Sequence, residues 1–181
     1  MSKKKALTVR VLLSEQEIAN RVAKLGQEIT EKYADLGEPL ILIGILKGSV
    51  IFLSDLCRAI SLPVELEFMG VSSYGDETES SGVVQITQDL TRPIKGRHII
   101  LVEDIVDTGL TAKYLLKHFR SSEPASVAMC ALLEKPGKSQ GHILIDFLGF
   151  SIPDDFVVGY GLDFAGLYRN LPHVGIVETA D

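Results

Sequence analysis

The sequence predicts an α/β fold built on a mainly parallel central sheet flanked by helices. Short apolar runs at 40–45, 98–102, 126–133 and 143–148 mark strands, and the clearest are continuous rather than alternating, as expected of strands covered on both faces. Apolar residues at helical spacing recur between runs, so strand and helix alternate along the chain. The run 98–102 then leads straight into two adjacent acids, Glu103 and Asp104, a third acid, Asp107, and a Thr-Gly-x-Thr turn.

Each element has its own signal. Ser14 with Glu17 is a capping box, after which Ile18, Val22, Leu25, Ile29 and Tyr33 mark an amphipathic helix that Gly37 and Pro39 end. The strand at 40–45 is followed by Lys47-Gly48 and a second helix carrying Val50, Leu53, Leu56 and Ile60. Pro63 opens a strand in which Val64, Leu66 and Phe68 alternate with polar Glu65 and Glu67. Residues 72–82, rich in Ser, Gly, Asp, Glu and Thr, predict a mobile loop before a strand near 83–87. From Thr111 onward, Ala112, Leu115, Leu116 and Phe119 predict a third helix.

Composition narrows the function classes. With 181 residues, 46% hydrophobic and 23% charged, the chain is expected to be one globular domain, residues 1–181. A net charge of −6 argues against general binding of nucleic acid or anionic membrane, and it obliges any phosphate site to recruit cations or N–H groups locally. Cys57 and Cys130 lack metal-ligand spacing and fit reduced thiols in a cytoplasmic protein. The basic start, Met-Ser-Lys-Lys-Lys, precedes no long apolar stretch, so neither a signal peptide nor a membrane span is expected.

The string 98–111 carries the chemistry. Ligands of open α/β sheets sit beyond the carboxyl ends of strands, where Glu103 and Asp104 fall. Successive strand side chains point to opposite faces, so these two acids are expected to do different jobs, one toward sugar hydroxyls and the other toward a metal or an ordering partner. The turn Asp107, Thr108, Gly109, Leu110, Thr111 offers backbone N–H groups, two hydroxyls and a helix N-terminus, the parts of a monophosphate cradle. Taken singly, Asp107 or Thr108 could merely cap the helix. The chain contains neither a Walker loop nor a Gly-x-Gly-x-x-Gly fingerprint after a strand.

This string resembles the phosphoribosyl-pyrophosphate motif of the type I phosphoribosyltransferases, and specifically of the hypoxanthine/guanine phosphoribosyltransferases. Four further segments agree in order: Leu46-Lys47-Gly48-Ser49, Ser73-Tyr74, Lys135 after Leu-Leu-Glu, and the stretch from Ile152 through Asp163 with Arg169. The resemblance implies the type I fold, with a small hood formed by parts of the N- and C-terminal segments and a flexible active-site loop. It implies transfer of a 5-phosphoribosyl group to hypoxanthine or guanine, with Mg²⁺ as cofactor. It also implies a homo-oligomer, dimer or tetramer, whose partners are small molecules rather than nucleic acid or membrane.

Residue by residue, the resemblance makes Leu46, Lys47 and Gly48 a pyrophosphate turn whose Leu46–Lys47 peptide can be cis. Asp107 becomes the general base at purine N7, its pKa expected to be raised by burial and by Glu103 and Asp104. Lys135 would donate to a 6-oxo group and reject a 6-amino group. Phe156 would stack on the base, with Val157 reading it through the backbone. Arg169 would hold pyrophosphate. Glu103, Asp104 and Asp163 are the metal candidates, and Ser73 and Tyr74 belong to the closing loop. Leu110 departs from the family pattern, since many relatives carry a polar residue there, and Pro136-Gly137 is variable ground. Some proteins sharing the motif regulate pyrimidine genes by binding RNA; Asp107, Lys135 and the acidic net charge disfavour that alternative here. Xanthine as a third substrate stays open.

Overall fold

The computed structural model describes residues 8–74, 83–137 and 143–178. In chain order the elements are β1 (Thr8–Leu13), α1 (Glu15–Lys32), β2 (Leu40–Leu46), α2 (Val50–Ala59), β3 (Val64–Tyr74), β4 (Val83–Gln88), β5 (His98–Val106), α3 (Leu110–Arg120), β6 (Ser126–Glu134), β7 (Phe147–Ser151), β8 (Val157–Val158) and β9 (Val174–Glu178). Six strands form one sheet in the order β4-β3-β2-β5-β6-β7, parallel except for β4. A second, antiparallel sheet, β1-β9-β8, joins a strand from near the start of the chain to two from near its end.

The continuous apolar runs behave as their composition requires. Leu40, Leu42, Ile100, Val102, Ala128, Cys130 and Leu132 enter the core packed on α1 and α2. Their neighbours Ile41, Ile43, Ile99, Leu101, Met129 and Ala131 enter the core on the α3 side. Successive residues thus serve opposite faces, and helices cover both. The capping box forms as expected: Glu17 N–H donates to Ser14 Oγ, and Ser14 N–H donates back to the Glu17 carboxylate at 2.9 Å.

Four expectations need correction. β5 does not end at Val102 but continues through both acids to Val106. β7 begins at Phe147 rather than 143, because Asp146 Oδ2 accepts the Met129 N–H at 3.0 Å and takes the place of a ladder carbonyl; pairing with β6 starts at Cys130–Phe147. In β3 the alternation breaks in the middle: Val64 and Phe68 pack on the core, but Leu66 is exposed while Glu67 is buried and accepts from Thr91 N and Oγ1. Finally, Ser73 and Tyr74 are the last residues of β3, paired with Val84 and Val83, not part of a loop. The remainder of that expected loop, 75–82, lies outside the described residues.

The packing of α1 on α2 rests on Gly26, where a Cβ would overlap the Ala59 carbonyl and side chain. Alanine is the better helix former by about 1 kcal/mol, yet here it must push two helices apart. Gly26→Ala is therefore expected to lower stability by about 1–3 kcal/mol, read as a fall in the urea midpoint. An unchanged or higher midpoint would show that the helix contact is loose.

Candidate active site

The order of the large sheet reverses between β2 and β5: from β2 the chain proceeds outward to β3, and from β5 it proceeds outward the other way to β6 and β7. Such a switch point leaves a crevice at the strands' carboxyl ends. Here the crevice is made by ladder loss. β2 and β5 pair only as far as Gly44–Val102, while β5 stays paired with β6 up to Val106–Glu134. The last four residues of β5, which include Glu103 and Asp104, are thus bare on the β2 side. A cleft of about 320 Å³ opens there, lined by the 46–48 turn, the 103–109 segment, Thr111, Asp163 and Arg169.

The two acids face opposite ways. Glu103 continues the parity of Leu101 and is buried. Asp104 lies beneath the 46–48 turn, where a Cβ on Gly48 would overlap its carboxylate; its Oδ1 also accepts the Ile105 N–H at 3.0 Å. Burial pushes the Glu103 carboxyl well above the usual range, and Asp104's charge adds to that shift. Burial raises Asp104 too, against its backbone hydrogen bonds and the nearby Arg169. Both carboxyls therefore sit where negative charge is costly until cations or hydroxyl donors arrive.

The turn after β5 is shaped for an anion. Gly109, in the left-handed region at φ 76°, is the N-cap of α3, and no side chain caps that helix. Thr108 Oγ1 accepts the Leu110 N–H at a long 3.5 Å. The N–H groups of the first turn of α3 face the cleft with the helix dipole behind them, which favours negative charge there. Across the cleft, the Leu46–Lys47 peptide is cis, Lys47 is exposed, and the turn is tied down by Ser49 Oγ donating to the Ile45 carbonyl at 2.6 Å.

Asp107 and Lys135 stand side by side. Lys135 follows β6, its N–H donates to the Val106 carbonyl, and its nearly buried Nζ lies 3.8 Å from Asp107 Oδ2. A cation therefore neighbours the expected general base, which the spacing of the two residues in sequence did not reveal. Phe156 is more than half exposed, as a face awaiting a flat partner would be, and Phe164 meets it edge-on at 5.6 Å. Val157 is buried, paired with Ile176 in the small sheet. Arg169 donates to the Gly161 carbonyl and to Asp163 Oδ1, each at 2.6 Å, and Asp163 Oδ2 accepts the Gly166 N–H. Asp163 in this arrangement orients Arg169, with both of its oxygens engaged.

The structure therefore brings Leu46, Lys47, Gly48, Glu103, Asp104, Asp107, Thr108, Gly109, Thr111, Asp163 and Arg169 to one cleft. Lys135 adjoins it through Asp107. Ser73 and Tyr74 lie at the tip of β3, whose Val71 lines the same cleft. Three contributors escaped notice in the sequence. Ile105 and Val71 supply apolar wall, indistinguishable beforehand from ordinary strand residues. Gly161 packs so closely on the Gly48 carbonyl that a Cβ would overlap it, and only its place between Tyr160 and Leu162 near Asp163 hinted at a role.

Comparison with known proteins agrees with this geometry. The phosphoribosyl transferase domain family matches residues 9–165. The chain is 50% identical over 172 residues to the hypoxanthine-guanine phosphoribosyltransferase of Mycobacterium avium, covering 93% of this chain and 85% of the relative. A crystal structure of a hypoxanthine-guanine phosphoribosyltransferase from Bacillus anthracis superposes with a TM-score of 0.89 at 39% identity, over 96% of this chain and 100% of that one. The hypoxanthine phosphoribosyltransferase of Trypanosoma cruzi in complex with its product IMP gives 0.88 at 37% identity, over 98% of both chains. The chain belongs to the phosphoribosyl transferase family, within its hypoxanthine and hypoxanthine-guanine branch.

The acids' environment has a measurable consequence. Below about pH 4 both the folded and the unfolded protein carry the Glu103 proton, and it contributes nothing. As pH rises, the unfolded chain gives up its proton first, so the raised pKa in the fold becomes a growing penalty. Ligand-free Glu103→Gln is therefore expected to melt at a higher temperature than the parent near neutral pH, with the gain vanishing in acid. Equal melting temperatures near neutral pH would contradict the assigned burial cost.

Proposed function

We propose that the chain transfers the 5-phosphoribosyl group of phosphoribosyl pyrophosphate to hypoxanthine, guanine or both, giving IMP or GMP and pyrophosphate. The observation that carries it is the single cleft at the β2–β5 parting, with an uncapped, amide-rich helix start on one side and the Asp107–Lys135 pair beside it. The relatives' names point the same way.

In this reading the sugar's 5-phosphate sits on the 107–111 turn, held by α3's first N–H groups and by Thr108 and Thr111. Ribose hydroxyls donate to Glu103 and Asp104, which offsets the desolvation of those carboxylates. The leaving pyrophosphate lies against the Leu46–Gly48 turn and Arg169, whose guanidinium Asp163 and Gly161 already orient. Glu103 and Asp104, buried acids in want of a counter-charge, are the carboxylates that would hold Mg²⁺. Asp163, whose oxygens already accept from Arg169 and Gly166, would approach the ion only through its water, and among the described residues no three such side chains already form a metal-ligand group. When bound, the ion would neutralise charge on the departing phosphates. The base enters over Phe156, with Asp107 taking the proton at N7 and Lys135 donating to the 6-oxo oxygen. Those purine atoms are neighbours on one edge, as Asp107 and Lys135 are in the cleft. Pyrophosphate leaves as the purine nitrogen bonds to C1 of the ribose.

A single domain with β1-β9-β8 as hood, a homo-oligomeric state and a cytoplasmic location complete the proposal. Exposed Val50, Ile51 and Leu66 and the two free cysteines support the last two points. Among the described residues no helix is long and apolar enough to cross a membrane.

An ultraviolet assay with phosphoribosyl pyrophosphate, Mg²⁺ and separate hypoxanthine, guanine, xanthine and adenine tests the reading; turnover of neither hypoxanthine nor guanine would refute it. Asp107→Asn is expected to cut kcat by about 100-fold or more while nucleotide still binds. Lys135→Met should narrow the preference for hypoxanthine over adenine, measured as the ratio of kcat/KM values. Gly48→Ala should raise the KM for phosphoribosyl pyrophosphate at least about tenfold, because its methyl displaces Asp104.

A further inference from the structure

Three charges stand in a row along the carboxyl edge of the large sheet, each delivered by a different strand. Asp107 directly follows β5, Lys135 directly follows β6, and Asp154 comes three residues after β7. Their spacing is set by backbone. Lys135 N–H donates to the Val106 carbonyl of β5, and Ile152 N–H donates to the Glu134 carbonyl of β6 at 2.9 Å, with the Ile152 side chain buried. Lys135 Nζ is 3.8 Å from Asp107 Oδ2 and 3.4 Å from Asp154 Oδ1. The lysine side chain is only 10% exposed, whereas that of Asp154 is 55% exposed, so Asp154 can be altered without opening the core.

We infer that Asp154 is a positioning residue for the purine site, holding the Lys135 ammonium away from Asp107. The inference deepens the function proposed above and rests on it. At these distances the two carboxylates, which follow the strands on either flank of β6, pull on one cation with comparable strength. Without Asp154 only the pull of Asp107 remains. The ammonium would then close on Asp107 in a tight ion pair, and an arriving base would have to break that pair to reach either group. Asp107 would also be a poorer acceptor for the N7 proton, and Lys135 would no longer point at the 6-oxo oxygen. Asp154 touches neither substrate in this account; it acts through Lys135, so its removal should be felt by the base and not by phosphoribosyl pyrophosphate.

The test is steady-state kinetics of the full chain with Mg²⁺, comparing the parent, Asp154→Asn and Asp154→Glu, alongside melting temperatures. For Asp154→Asn, kcat/KM for hypoxanthine is expected to fall about tenfold, mostly through the KM of the base. The KM for phosphoribosyl pyrophosphate and the melting temperature should hold, the hypoxanthine-to-adenine ratio should shrink, and Asp154→Glu should restore most of the loss. Parent-like hypoxanthine kinetics in Asp154→Asn would overturn the assignment. So would equal rises in both KM values, or a lowered melting temperature with no rescue by Asp154→Glu, since these mark a merely structural residue. An inactive parent chain would sink the proposed function and this inference together, whereas an active parent with an indifferent Asp154→Asn sinks the inference alone.

Discussion

Once β2 and β5 stop exchanging hydrogen bonds after Gly44–Val102, the polar groups at that end of the sheet must find partners elsewhere. On the other flank β5 remains bonded to β6 for four more residues, which keeps Glu103 and Asp104 on a rigid strand instead of a loop. The cleft is therefore a local failure of sheet pairing inside an otherwise continuous core. Placement of its carboxylates is inherited from strand geometry, more exact than a loop provides. The 46–48 turn and the 107–111 turn are the two strand exits that this parting separates, and they form its facing walls.

That arrangement has an energetic cost which the fold tolerates. Burial in a low-dielectric wall raises the proton affinity of both carboxyls, Asp104 adds to the shift at Glu103 and Asp163 to that at Asp104, and near neutral pH the ligand-free molecule is less stable for it. Function and stability pull apart at such positions, and natural proteins accept the strain where a partner relieves it. Close backbone contacts sustain the geometry. Gly48 lies on Asp104 and Gly161 lies on Gly48, so a segment more than 100 residues downstream presses the 46–48 turn onto the acid beneath it.

Much of this was legible in the residues. The doubly covered strands announced themselves by unbroken apolar runs, and α1 by its capping box. The acids and the Thr-Gly-x-Thr turn located the cleft. Other features depended on partners distant in sequence. β1 finds its mate in β9, over 160 residues away, and neither short run demanded a strand by itself. Glu67 looked solvent-facing until Thr91 supplied its donors. The apolar run at 143–148 gave no sign that Asp146 would take the Met129 amide and delay β7. The proximity of Asp107 to Lys135 was hidden for a similar reason: two residues 28 apart become neighbours only because β5 and β6 pair in parallel and end together.

Gly109 leaves the N-cap of α3 without a side chain, and Thr108 Oγ1 reaches the first N–H of the helix only at 3.5 Å. A bowl of main-chain amides responds to charge and size, so it cannot tell a sugar-borne phosphate from an inorganic oxyanion of similar radius. Under the proposed function, discrimination must then increase along the sheet edge, from an indifferent helix tip to the acids of β5 and on to Lys135, whose ammonium stands beside Asp107.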